Sequence, residues 1–189
     1  MAFWGTNLDA GSKDPKRKFR FKVEFETLGG GNVLWYAKTI GKPSMTISAD
    51  TTHKFLGHTF KYPGSVTWED IELTLVDPAE DGEGGEDAAQ KLLSIIEASG
   101  YKFPKDSSIL ETISKGKATE AIEKVVIHQL DASGQNTVER WTLHNPFINK
   151  LNFSELSYED DGLSEITVGI TYDWAEFSKG ASTDSKFFE

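Results

Sequence analysis

Phe19-Arg20-Phe21-Lys22-Val23-Glu24-Phe25-Glu26 alternates apolar and charged side chains without a fault. A period of two places every apolar group on one face of a pleated strand and every charge on the other. Downstream, Leu28-Gly29-Gly30-Gly31-Asn32 reads as a turn, because glycine reaches positive φ at little cost. Val33 to Ile40 reads as the returning strand, apolar on both faces: Val33, Trp35 and Ala37 on one, Leu34, Tyr36 and Ile40 on the other. Such a strand calls for cover on both sides, the second side supplied by another subunit.

Gly41-Lys42-Pro43 breaks the pattern, and Met45, Ile47 and Ala49 restart it. His53-Lys54-Phe55-Leu56-Gly57-His58-Thr59-Phe60-Lys61-Tyr62, closed by Pro63-Gly64, predicts a hairpin arm with its tip near Gly57. Val66 to Val76 predicts one strand with a bulge near Glu69-Asp70, where the apolar parity shifts between Trp68 and Ile71. Asp77 to Asp87 is an acidic, glycine-rich loop. Ala88, Ala89, Leu92, Leu93 and Ile96 recur at helical spacing up to Gly100. Asp106 to Ile122 predicts a short helix and a connection, with Ile109, Leu110 and Ile113 facing inward. Lys124 to Leu130 and Thr137 to Leu143 form a hairpin about the turn Asp131 to Asn136. After Asn145-Pro146, Leu151 and Phe153 alternate with polar residues. Asp160-Asp161-Gly162 turns the chain, and Ile166, Val168, Ile170, Tyr172 and Trp174 share one face of a last strand. The expectation is a mainly β protein: an antiparallel β-sandwich or barrel of seven or eight strands with one inserted α-helix and a protruding hairpin arm. Residues 16–178 form the domain, between a flexible arm at 1–15 and a flexible tail at 179–189.

Composition narrows the function. Thirty acidic residues against twenty basic give a net charge of −10. An acidic body binds phosphate backbones poorly but suits a conduit through which nucleic acid must slide. Residues 1–25 run the other way, with six basic groups and three acidic ones. The segment from Lys13 to Lys22, with Lys16, Arg17 and Lys18 at its centre, therefore offers a cationic patch to an acidic partner, or an edge that deters wrong pairing. The absence of cysteine removes disulfides, thiolate nucleophiles and cysteine-based zinc sites. Met1 to Leu8 lack a basic start and an apolar run, so assembly in the cytoplasm without membrane insertion is expected.

The chemistry of catalysis is sparse. The histidines are His53, His58, His128 and His144, with no His-x-x-x-His pair. His53 and His58 read more readily as exposed polar positions than as metal ligands. The loop from Asp77 fails the calcium-loop pattern at Ala79 and Ala88. Glu69-Asp70 are adjacent and point apart on a strand, while Asp160-Asp161 precede a glycine, as turns do. No cofactor, metal or catalytic residue is expected. A hydrolase with dispersed carboxylates remains an alternative, as does a monomeric ligand-binding β-sandwich using Trp35, Trp68, Trp141 and Trp174 as a platform.

Taken in order, Phe19 to Phe25, Trp35 to Gly41, the arm leading into Val66 to Asp77, the helix Ala88 to Ala98, the hairpin Val125 to Leu143 with Asn145-Pro146-Phe147, and Ile170 to Trp174 resemble the tail-tube proteins of contractile-tailed phages. Those are similar in turn to the haemolysin-coregulated tube protein of type VI secretion and to the inner tubes of other contractile injection systems. The resemblance implies a structural subunit and not an enzyme. Six copies form a ring, and rings stack into a hollow tube through which DNA passes without specific binding. The partners implied are further copies, a sheath protein, and baseplate and tail terminator proteins, in a virion tail assembled in the bacterial cytoplasm. An inner tube or tube initiator of another injection system is the near alternative. The arm, Asp50 to Pro63, would reach the adjacent ring with His53, Lys54, Phe55, Leu56, His58, Phe60 and Tyr62. Thr167, Thr171 and Asp173 are candidates for the lumen face. Phe3, Trp4, Phe187 and Phe188 are candidates for tails that dock on a neighbour.

Overall fold

The computed structural model describes residues 16–27, 31–34, 37–78, 88–104, 111–159 and 161–180, with the backbone alone for 31–34. The chain is mainly antiparallel β, as expected. One five-stranded sheet takes β1 (Phe21–Thr27), β2 (Gly31–Leu34), β9 (Ile122–Leu130), β10 (Thr137–His144) and β13 (Trp174–Lys179), in the spatial order β13-β10-β9-β1-β2. A four-stranded sheet takes β3 (Ala37–Ile40), β8 (Ile71–Val76), β11 (Phe147–Phe153) and β12 (Glu165–Thr171), in the order β11-β12-β8-β3.

The alternation in the first strand does what period two requires. Val23 and Phe25 are fully buried, and Lys22 pairs with Glu24 on the opposite face. They meet Leu73 and Leu75 of β8, Val125 and Ile127 of β9, Leu143 of β10 and Ile166, Val168 and Ile170 of β12 in one core between the two inner faces. Two helices close it. From α1 (Ala88–Ala98) come Ala88, Leu92 and Ile95, and from α2 (Lys115–Ala121) comes Ala121. The second helix starts later than the sequence suggests, capped by Ser114, and buries Ala118 and Ala121. Ile113 is exposed rather than inward, while Ile109 and Leu110 lie outside the described residues.

Three predicted strands turn out to be places where the chain changes sheets. Val33 to Ile40 divides between β2 and β3, so its two-sided apolar pattern does not belong to one doubly covered strand. Trp35 and Tyr36 lie outside the described residues. Val66 to Val76 divides into β7 (Val66–Trp68) and β8, so the parity shift marks a corner and not a bulge. Ile166 to Trp174 divides at Tyr172-Asp173, and Trp174 begins β13 with its ring outward. Between β10 and β11, Asn145 takes the left-handed conformation (φ 53°), which its short polar side chain tolerates better than most.

Candidate functional site: an exposed hairpin arm

The arm is longer than its sequence signature. β4 (Met45–Ile47) pairs with β7, and β5 (Thr51–Phe55) pairs with β6 (His58–Tyr62). Both ladders keep the same register, so one hairpin runs from Ser44 to Glu69. Glu69 N–H donates to Ser44 O at its base (3.0 Å). At the mid-arm break, Ser48 N–H donates to Ser65 O (3.0 Å) and Gly64 N–H to Ser48 O (2.7 Å). Twelve residues a side, eleven steps of about 3.3 Å, give a ribbon of roughly 35 Å.

The register sorts its side chains. His53 faces Phe60, Phe55 faces His58 and Thr51 faces Tyr62, so these six share one face. Thr52, Lys54, Thr59 and Lys61 share the other. At the base, Met45, Ile47, Val66 and Trp68 again share a face. Trp68 is held by Tyr172, ring centroids 6.0 Å apart, which anchors the arm to the sandwich. Beyond it the arm is bare: Phe55 is 60% exposed, Leu56 83%, and Phe60 and Tyr62 51% each. Leu56 and Gly57 both have positive φ (46° and 79°), the two-residue turn that matches strand twist. Glycine takes that conformation freely, whereas leucine gives up roughly 1–2 kcal/mol to present its side chain at the tip.

His53 and His58 are diagonal neighbours on the aromatic face. Among the described residues, no group of three or more His, Asp or Glu side chains converges as a metal site would need. A second bare surface lies at the far end of the four-stranded sheet. Ser154 and Glu165 close the base of a loop, with Ser154 N–H donating to Glu165 O (3.0 Å). Around it Phe153, Leu156, Tyr158 and Leu163 are all exposed. Ile71 starts β8 beside the arm, and Val76 ends it opposite Glu165 beside the loop, about 17 Å further along.

The proposed lumen residues fall on and beside the outer face of the same sheet. Thr167 pairs with Thr74 and Asn152. The Thr171 hydroxyl accepts a hydrogen bond from Asn149 Nδ2 (2.7 Å). Glu72 and Lys150 pair on this face at 3.2 Å, so it is polar with charges of both signs. Asp173 does not continue it. Its carboxylate takes Lys115 Nζ at 2.7 and 2.9 Å and Asn145 Nδ2 at 2.9 Å. Those hydrogen bonds, Lys115 first, hold its pKa below the usual aspartate range. Phe3, Trp4, Phe187 and Phe188 lie outside the described residues. What the sequence did not reveal is the arm's base and the 154–164 loop; isolated Met45, Ile47, Leu156 and Leu163 carry no local signal of exposure.

Each described tryptophan outside the arm has an aromatic neighbour in the chain. Trp141 packs on Phe177 (4.9 Å), and Trp174 stacks on His144 (3.7 Å, 7° between planes). Among the described residues no helix is long and apolar enough to cross a membrane.

No protein-family model matches the chain, and no curated protein sequence does. Solved structures do. A chain in the tube-terminating cap of the anti-feeding prophage superposes with a TM-score of 0.63 at 17% identity, covering 95% of this chain and 99% of that one. A chain in the sheath–tube complex of the extracellular contractile injection system PVC, in the extended state, gives 0.59 at 15%, covering 93% and 99%. Hcp1 from E. coli EAEC 042 gives 0.51 at 10%, covering 88% and 93%. The chain therefore has the antiparallel β fold shared by tube and cap assemblies of contractile injection systems and by Hcp1.

Proposed function

We propose that this chain is a structural subunit of the inner tube of a contractile phage tail, or of the inner tube or tube initiator of a related injection system. The observation that carries the reading is the pair of bare apolar surfaces at opposite ends of one sheet, the arm at one and the 154–164 loop at the other. Unlike surfaces at opposite ends give head-to-tail contacts, which propagate instead of closing into a dimer. A lone two-stranded ribbon with aromatic groups is marginal in water, and another copy is its natural cover.

Within a ring, β3 and β11 are the open edges of the four-stranded sheet, available for pairing between neighbouring copies. Six copies would join these sheets around a lumen lined by Thr167 and Thr171. That outer face carries Thr39, Glu72, Thr74, Lys150 and Asn152 as well, a hydrated wall on which Glu72 answers Lys150, which favours DNA passage over DNA binding. A sheath outside the tube, a baseplate and a terminator complete the set of partners. The role is structural and needs no cofactor. The test is assembly: electron microscopy of the purified protein beside a Phe55→Glu/Phe60→Glu variant. Rings or tubes lost in the variant support the reading; unchanged assembly removes the arm from it.

A further inference from the structure

The two sheets part at one end around a cavity of about 670 Å³. Phe21, Ile40, Ile127 and Trp141 supply apolar lining, and Lys16, Arg17, Lys18, Lys38 and Lys42 supply cationic lining. Few acids answer these bases. Lys16 and Lys42 share Glu139, Lys38 pairs with Glu165, and Arg17 and Lys18 have no acidic partner among the described residues. A cavity of this size, apolar inside and positive at its edge, fits aromatic rings flanked by carboxylates.

The chain itself carries such a segment and delivers it to the spot. Lys179 stands opposite Glu139 in the β10–β13 ladder, and Phe177 packs on Trp141. The described backbone thus ends at Gly180, against the cavity wall, its N–H bonded to Val138 O (3.0 Å). Beyond it come Asp184, Phe187, Phe188 and Glu189. Phe187 lies seven Cα–Cα steps beyond Gly180, a reach of about 25 Å when extended. The segment before Lys16 also holds two aromatics, Phe3 and Trp4, yet its nearest acid to them is Asp9. Only the later segment sets acid beside aromatic.

We propose that the Phe187-Phe188-Glu189 segment folds back into this cavity of its own chain, rings on the apolar lining and carboxylates toward Arg17 and Lys18. A tether this short gives the segment a high effective concentration at its site. The docked segment covers Trp141 and Phe21, which are only half-buried, and it does so whether or not rings assemble.

The chain lacks cysteine, so an introduced pair reports one contact only. Full-length Phe188→Cys/Ile40→Cys and Phe187→Cys/Lys42→Cys are expected to form a disulfide within the chain under mild oxidation, with two pairs allowing for bond geometry. Adding Arg17→Glu/Lys18→Glu should slow the reaction roughly fivefold at low salt, with the difference fading as salt rises. Trp4→Cys/Ile40→Cys should not close. Closure of the Trp4 pair in place of the others would overturn the proposal in favour of the N-terminal segment. Disulfides between chains, or none in either pair, would overturn it as well.

Discussion

Lys115 and Asp173 form a two-pronged ion pair, Nζ to both carboxylate oxygens at 2.7 and 2.9 Å, which ties the first residue of α2 to the corner between β12 and β13. Asn145 from the neighbouring corner binds the same carboxylate. One side chain therefore fastens two sheet-to-sheet crossings and a helix. The pair is substantially exposed, so Asp173→Asn should cost about 0.5–1 kcal/mol. A fall of roughly 1–4 °C in melting temperature is expected, read by calorimetry. Assembly should survive. Loss of assembly with an unchanged melting temperature would instead give Asp173 a direct contact role.

Glu139 sets the response to acid. Burial pushes its pKa up, but hydrogen bonds from Lys16, Lys42 and Trp141 outweigh burial and hold it at about 2, against an ordinary 4.5. Because the folded value is depressed, the stabilisation is present above pH 4.5 and drains away as pH falls toward 2. Lys16 and Lys42 are half exposed, so solvent screening leaves a contribution of roughly 1–2 kcal/mol at neutral pH. Glu139→Gln should lower stability at neutral pH and flatten the melting curve's dependence on pH across that window. A variant as acid-sensitive as the parent would show that Glu139 is not the group responsible.

Gly169 sits at mid-strand under the bulged Asn149. A Cβ there would lie 2.3 Å from Asn149 Oδ1 and 3.0 Å from Lys150 Cβ. Asn149 would have to leave Asp70 and Thr171, to which it donates at 2.8 and 2.7 Å. Gly169→Ala should cost about 1–3 kcal/mol in denaturant unfolding. A neutral result would mean that the bulge repacks freely.

The sequence made the sheets legible where one strand stayed in one sheet. Phe21 to Glu26 reads correctly because its two faces see two different media. The turn at Asp131 reads correctly because the carboxylate accepts N–H bonds from Ser133 and Asn136, which needs only local chemistry. Corners were not legible. A chain crossing between facing sheets points its apolar groups at the same core before and after, so alternation from Ile166 through Tyr172 continues toward Trp174 with no mark of the crossing. Only Ala175, buried where Trp174 is not, shows the reversal. The arm's tip was legible from Phe55, Gly57 and Phe60. Its base was not, because Val66 and Trp68 fit a buried strand as well as an exposed one.

Phe55 and Phe60 lie on one face of the arm and touch no part of the sandwich's core cluster. Phe55→Glu/Phe60→Glu should therefore leave the melting temperature within about 2 °C of the parent, since surface changes are usually small. Sedimentation should show it monomeric at concentrations where the parent assembles. A large loss of stability would mean that the arm folds onto its own chain.

The most direct test is electron microscopy of the full-length protein over a concentration series, with the arm variant alongside. Six-fold rings or hollow tubes in the parent, and single small particles in the variant, are the predicted result. Single small particles in both, at every concentration and with short preformed tubes added as seeds, would contradict a tube subunit.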